Sequence, residues 1–408
     1  MNSQEISEHV EYFLDPKCIR ERSQKIYERI KSGETRWILD ESQLSKCADF
    51  TLGVIKTKYP DFKIPFHSRR GHLRAGGTDR IAKLFESLAD KEQRLISEFD
   101  LIITSVFLDA GAGDKWKYTE TSGKSYGRSE GLAVASYDLV ASGALSSENI
   151  PFQVNAEGLA ALRPETFAKA FQAGCENPLI GVSERCVLMN NLADCLRAHP
   201  EYFEHEGKFR PGHLALYLTS KHIGKKISAI EILRSTLLGF DLMWPPRLMV
   251  GPMRFGDIWH YKGFGAEENA DNLIAFHKLS QWLSYSLMEA LMDFGMQITE
   301  IDALTGLPEY RNGGLFVDLG VLSFRDKSDY KKAWKVDSDT LIEWRAATVC
   351  LLDKIAVLLR ERLGVSQAEM PLVKLLEGGT WHAGREAAKV FRNTSEPPII
   401  LDSDATVF

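Results

Sequence analysis

The sequence predicts a mainly α protein with a few short strands. Three observations carry that expectation. Apolar residues recur at helical spacing over long stretches, as in Leu273, Phe276, Leu279, Trp282, Leu283, Leu287, Leu291 and Phe294. Start and stop signals bracket many of these stretches, among them Asp15-Pro16, Ser338 and Gly364. The regular alternation of strands and helices that builds a doubly wound sheet is missing from the pattern.

The 408 residues, 44% hydrophobic and 26% charged, suffice for one large helical domain over 1–408 or two intimate lobes, 1–150 and 151–408. A net charge of −6 argues against a broad nucleic-acid footprint. No apolar run reaches membrane-spanning length, and the first residues are polar and acidic, unlike a secretory or transit peptide. Six scattered cysteines without a Cys-x-x-Cys pair read as reduced, mostly buried thiols of a cytoplasmic protein. No His/Cys cluster calls for a metal, and no cofactor is expected.

Taken in order, Asp15-Pro16 opens a helix that Gly33 ends, and a second helix runs from Asp40 or Ser42 to just before Pro60. His67-Ser-Arg69-Arg70-Gly-His72-Leu-Arg74 leads through Gly76-Gly77 to a helix capped by Thr78. The four arginines of this segment, Arg69, Arg70, Arg74 and Arg80, beside a helix start suit an anion, against the alternative of a surface loop paired with nearby acids. Leu101–Leu108 continues a helix begun near Lys91, with Gly111 and Gly113 as its caps. Asp109-x-Gly-x-Gly also resembles a methyltransferase cofactor loop, but a polar, turn-rich segment follows where that loop needs a helix. Arg128-Ser129-Glu130 opens the next helix as a cap or a ligand clamp, and Pro151–Asn155 reads as a short extended piece.

Pro164-Glu165 starts a short helix, and Val187–Leu196 marks an amphipathic one that ends near His199-Pro200. Residues 201–210 are charged, and Ile227–Leu238 reads as a helix broken by Gly239. Glu267–Gly295 gives the longest helical pattern before residue 305 and carries His277-Lys278. Behind the central stretch, Ser338 caps a helix closed by Gly364, and Ser366-x-x-Glu369 forms a capping box for the next. That helix is interrupted at Gly378–Arg385, and the apolar tail docks as a short strand.

The central stretch, Thr305-Gly-Leu-Pro-Glu-Tyr-Arg311 through Asn312-Gly-Gly314 to Asp318, packs Glu309, Tyr310, Arg311 and Asp318 into one bend between helical patterns. Pro308 disfavours helix before it, and the glycine pair allows backbone angles other residues resist. Reactive side chains on a braced connector suit a small polar substrate. The competing reading is a solvated loop in which Glu309 and Arg311 simply pair with each other.

These residues resemble the uracil-catabolism protein 4 family, long catalogued as a domain of unknown function. The resemblance rests on Thr305–Leu322, Glu343-Trp-Arg-Ala-Ala-Thr-Val349, His67-Ser-Arg69, Leu108–Gly113, Gly127–Ser136, Gly379–Arg385 and the Asp-Ala-Thr-Val-Phe408 terminus. The central motif is also similar, more distantly, to that of queuosine 5′-phosphate N-glycosylases, whose Ala-Asp-Tyr-Arg precedes a Leu-Gly pair at the same interval. Their Phe-Tyr-Lys looks like Phe276-His277-Lys278 here.

That similarity implies a helical, DNA-glycosylase-like architecture and hydrolysis of an N-ribosidic bond. Glu309 takes the place of the glycosylase Asp, one methylene longer, with Tyr310 and Arg311 beside it. The expected substrate is a nucleotide-like ribosylurea 5′-phosphate. Lys278, Arg69 and Arg128 are assigned to its phosphate, Asp109, Glu130 and Asn155 to its urea, and Trp381 to the wall, with His67 and Asp318 as further binding residues. The rivals are a nucleotide N-glycosylase of other base specificity, a cofactor-dependent transferase and a non-catalytic nucleotide sensor.

Overall fold

The computed structural model describes residues 3–221, 224–267 and 269–402. It is mainly α, with strands of two or three residues that pair only two by two. No helix among the described residues is long and apolar enough to cross a membrane. The chain forms two compact units, both discontinuous in sequence: residues 1–67, 248–281 and 300–408, and residues 68–247 and 282–299. Residue 150 lies inside the second unit.

In the first unit the Asp339–Leu363 helix (the back helix) is buried along most of its length. Ser338 Oγ accepts from the Leu341 amide at its start, and Gly364, at φ 66°, closes it. The Lys17–Lys31, Leu44–Lys58 and Tyr310–Asp318 (the site helix) helices pack on it, and the Trp381–Arg392 helix (the terminal helix) packs on the site helix. Two of these helices touch almost backbone to backbone, since a Cβ on Gly384 would meet the Arg311 carbonyl oxygen at 2.1 Å. Gly313 sits close against the Trp344 and Thr348 side chains of the back helix. The glycine pair expected to loosen a bend is therefore helical, and Gly313 is small so that its neighbours can approach.

Four other expectations are corrected. The Glu267–Gly295 pattern is helical only from Lys278, because Leu273–Ala275 pairs as an antiparallel strand with Ile258–His260 and His277 takes a left-handed φ of 49°. The helix at 80–86 is capped by Asp79, not Thr78, through the Ile81 and Ala82 amides. The Lys91–Phe107 helix has no glycine cap, for Arg185 gathers the carbonyls of Leu108, Ala110 and Gly111 instead. Pro151–Asn155 opens as a turn, with Phe152 at a φ of 58°, and is extended at Asn155.

Ser366 and Glu369 do exchange their capping bonds, but around a single turn, and the next helix starts at Leu372. The break at Gly378 is a π-helical turn, Leu376–Thr380, that leads without interruption into the terminal helix. Ile400–Asp402 pairs in parallel with Ala333–Lys335, while the Asp-Ala-Thr-Val-Phe408 terminus lies outside the described residues from Ser403 onward.

In the second unit the Lys91–Phe107 helix is buried from Leu95 to its end. Its Asp100 is met by the Arg210 guanidinium and by the Val154 and Gly212 amides. Burial alone would raise this carboxyl, and these partners work against that rise without cancelling it.

Candidate active site

Residues 304–309 lie outside helix and strand, since Pro308 keeps the preceding residue out of helix, and the site helix begins at Tyr310. Glu309 is the N-cap and only 9% exposed. Its carboxylate accepts from the Arg311 amide (2.9 Å) and the Asn312 amide (2.6 Å). Those are the first-turn donors that lack a helical partner. A carboxylate has about four lone-pair sites, so both oxygens keep accepting capacity. Among the described residues no cation pairs with Glu309.

Arg311 does not pair with it either. Its guanidinium lies 4.3 Å from the centre of the Trp381 ring and 5.5 Å from that of Tyr310, with no ion-pair partner among the described residues. A guanidinium held over an indole keeps its N–H fork for another acceptor. The loop reading, in which these two charges neutralise each other, is excluded by this geometry.

A buried brace fixes the segment before Glu309. Asp257 receives both guanidinium nitrogens of Arg345 at 2.7 and 2.8 Å, and the Lys278 amide at 2.8 Å. Arg345 also donates to the Pro308 carbonyl. Burial alone would raise the Asp257 carboxyl, but Arg345 and the donors around it hold it below its ordinary range. Gln281 grips the other end, accepting from the Thr305 amide (2.7 Å) and donating to its hydroxyl (2.9 Å). The start of the Lys278–Phe294 helix and the Thr305–Glu309 segment are thus one network.

Around Trp381 stands a second group. His67 is 5% exposed, and its ring centre is 5.5 Å from that of Trp381. Its Nδ1 lies 2.7 Å from Glu377 Oε2. Tyr59 donates to Glu377 Oε1 at 3.1 Å, and His382 Nε2 is 3.8 Å from the same oxygen. Burial would raise the Glu377 carboxyl, but His382 and His67 together hold it well below the carboxylate range.

The expected residues therefore separate. Glu309, Tyr310, Arg311, Lys278, His67, Asp318 and Trp381 belong to the first unit. Asp318, at the far end of the site helix, is held by Arg392 through both oxygens (2.7 and 3.2 Å). Arg69, Asp109, Arg128, Glu130 and Asn155 belong to the second unit. There Arg69 is fully buried, donating to Ser105 (2.7 Å) and the Ser129 carbonyl (3.2 Å) and pairing with Asp109 (3.1 Å). Burial draws its guanidinium below the ordinary range.

Arg128 takes a left-handed φ of 53° and lies 3.5 Å from Asp114, with Glu130 in the same first helical turn. Asn155 is a helix cap, its Oδ1 accepting from Gly158 and Ser147 and its Nδ2 donating to Ser147. Sequence reasoning missed Glu377, His382, Asp257 and Arg185. His382 lay inside the Gly379–Arg385 motif and Glu377 beside the Gly378-Gly379 pair, whereas Asp257 and Arg185 are lone charges whose partners Arg345 and Leu108 lie far along the chain.

The family model described as Protein of unknown function (DUF1688) matches residues 12–408. This chain belongs to that family. It is 36% identical over 439 residues to the Lachancea kluyveri protein named Uracil catabolism protein 4, covering 98% of this chain and 99% of that one. It is likewise 36% identical over 417 residues to Protein urg3 of Schizosaccharomyces pombe, covering 98% and 100%. The resemblance to the uracil-catabolism protein 4 family is thereby borne out.

Proposed function

We propose that this protein acts in uracil catabolism as an N-ribosidic bond hydrolase, splitting a ribosylurea 5′-phosphate-like nucleotide into urea and ribose phosphate. The name of the Lachancea relative supports the process. One observation carries the chemistry. Glu309 and Arg311, two residues apart, both lack an ion-pair partner among the described residues and do not pair with each other.

As the C1′–N bond breaks, positive charge builds on the sugar ring. The Glu309 carboxylate stabilises that charge and takes the proton of the attacking water. The two amides hold it in one orientation, so little reorganisation accompanies the reaction. Arg311 and Lys278 are the cations for the phosphate, Tyr310 orients Glu309 or holds a sugar hydroxyl, and Trp381 gives the apolar wall. Asp318 is left out because Arg392 engages both its oxygens. The reading rests on first-unit residues alone.

The test is to incubate the protein with ribosylurea 5′-phosphate, UMP or queuosine 5′-phosphate and to assay urea or free base. Release of urea from the first alone is the expected result. Release of queuine or uracil instead shifts the reading to a glycosylase of other base specificity. Ligand binding with no release in any arm points to a sensor and overturns the proposal.

A further inference from the structure

Cleavage of an N-ribosidic bond leaves an electron pair on the departing nitrogen, and a ureido nitrogen departs slowly unless it is protonated. Glu309, which receives the proton of water, does not supply that one. Resting on the hydrolase reading above, we infer that His67 is the proton donor to the leaving nitrogen and that Glu377 is its positioning residue.

The geometry supports this division of labour. The His67 backbone is pinned by its amide to the Val373 carbonyl at 3.1 Å, and its Nδ1 is committed to Glu377 at 2.7 Å. A ring whose Nδ1–H is held by a carboxylate exchanges protons through Nε2. Glu377 is anchored in turn by the Tyr59 hydroxyl, and His382 approaches from the terminal helix. These are the titratable groups that face it. Its place on a π-helical turn is a recurrent feature of functional sites.

From His67 the contacts run to Trp381, from Trp381 to the Arg311 guanidinium, and from the Arg311 amide to Glu309. In the step itself the C1′–N bond breaks and its electron pair goes to nitrogen, which takes a proton from His67 Nε2. The oxygen of water bonds to C1′ and its proton passes to Glu309. Solvent then exchanges the protons of the two residues, so that one water is consumed.

The experiment compares two leaving groups on the full-length protein: ribosylurea 5′-phosphate and p-nitrophenyl β-ribofuranoside 5′-phosphate, whose phenolate departs without a proton. For His67→Asn, kcat on the ureido substrate should fall by about 100-fold or more while the nitrophenyl substrate loses less than about tenfold. Glu377→Gln should lower kcat on the ureido substrate selectively, with KM little changed. Its loss on the nitrophenyl substrate should stay below about tenfold, because no proton is needed there.

Equal losses on both substrates, or none, overturn the inference and leave the hydrolase reading standing. If His67→Asn is insoluble, Glu377→Gln on the two substrates decides, and equal losses on both overturn it. Wild-type protein that cleaves neither substrate overturns the hydrolase reading itself.

Discussion

The site helix carries a carboxylate at each end, and the two are held in opposite ways. Asp318, at the C-terminal end, is gripped by the two-nitrogen fork of Arg392. Glu309, at the N-terminal end, is held among the described residues by backbone amides alone. A guanidinium neutralises what it binds, whereas an amide orients a charge and leaves it net negative. The comparison teaches that burial and acidity alone do not mark a catalytic carboxylate. What matters is whether the partner that fixes it also cancels it.

Neutralising the N-terminal carboxylate gives the largest expected effect. Glu309→Gln keeps the shape and one acceptor of the cap, so binding measured calorimetrically should persist while kcat falls by roughly 10³-fold. Retained turnover would remove Glu309 from the chemistry and erase the contrast between the two ends.

Next comes the C-terminal end. Arg392→Ala strips the cation from a buried carboxylate and should cost about 2–3 kcal/mol in urea unfolding at neutral pH, discounted because Arg392 is partly exposed. The sign of its pH dependence follows from Asp318. Burial raises its folded-state carboxyl above the ordinary range, and Arg392 pulls it back. Without Arg392 the folded protein holds that proton still more tightly than the unfolded chain. The deficit should therefore shrink on acidification and grow as pH rises through the carboxylate range. A deficit independent of pH would mean that Asp318 is not the group left exposed to the change.

Gly384→Ala probes what positions both ends, because the new methyl would press on the Arg311 carbonyl. A loss of about 2 kcal/mol in thermal or urea unfolding is expected, with kcat reduced through displacement of the Arg311–Trp381 pair. The smallest effect belongs to Glu309→Asp. Aspartate is the better cap, so stability should hold or rise, while the retracted carboxylate should lower kcat by about tenfold. A loss as large as that of Glu309→Gln would show that the extra methylene sets the reaction geometry.

Much of this was readable in the residues. Ser338 and Gly364 bounded the back helix because both signals are local. The bend at Pro308, with Glu309 beside Arg311, was visible for the same reason. What stayed hidden depends on partners distant in the chain. The Lys278 start is set by Asp257, twenty-one residues upstream, and a buried strand at 273–275 happens to keep helical spacing. The role of Glu377 stayed unread because His67 lies 310 positions away. A glycine pair read as a flexible bend was close packing, since periodicity records polarity but not the volume of the neighbour.

The wide turn at Leu376–Thr380 has one more consequence. Such a turn holds about one residue more than an α-helical turn, and each residue of an α-helix advances about 100° around the axis. Deleting Gly378 or Gly379 would thus not merely shorten the chain. It would swing the indole at 381 and the imidazole at 382 a quarter-circle or more away from the arginine and glutamate they face, leaving a well-formed helix that points its aromatic groups elsewhere. The orientation of this wall is set by counting residues, and a single-codon loss would undo it.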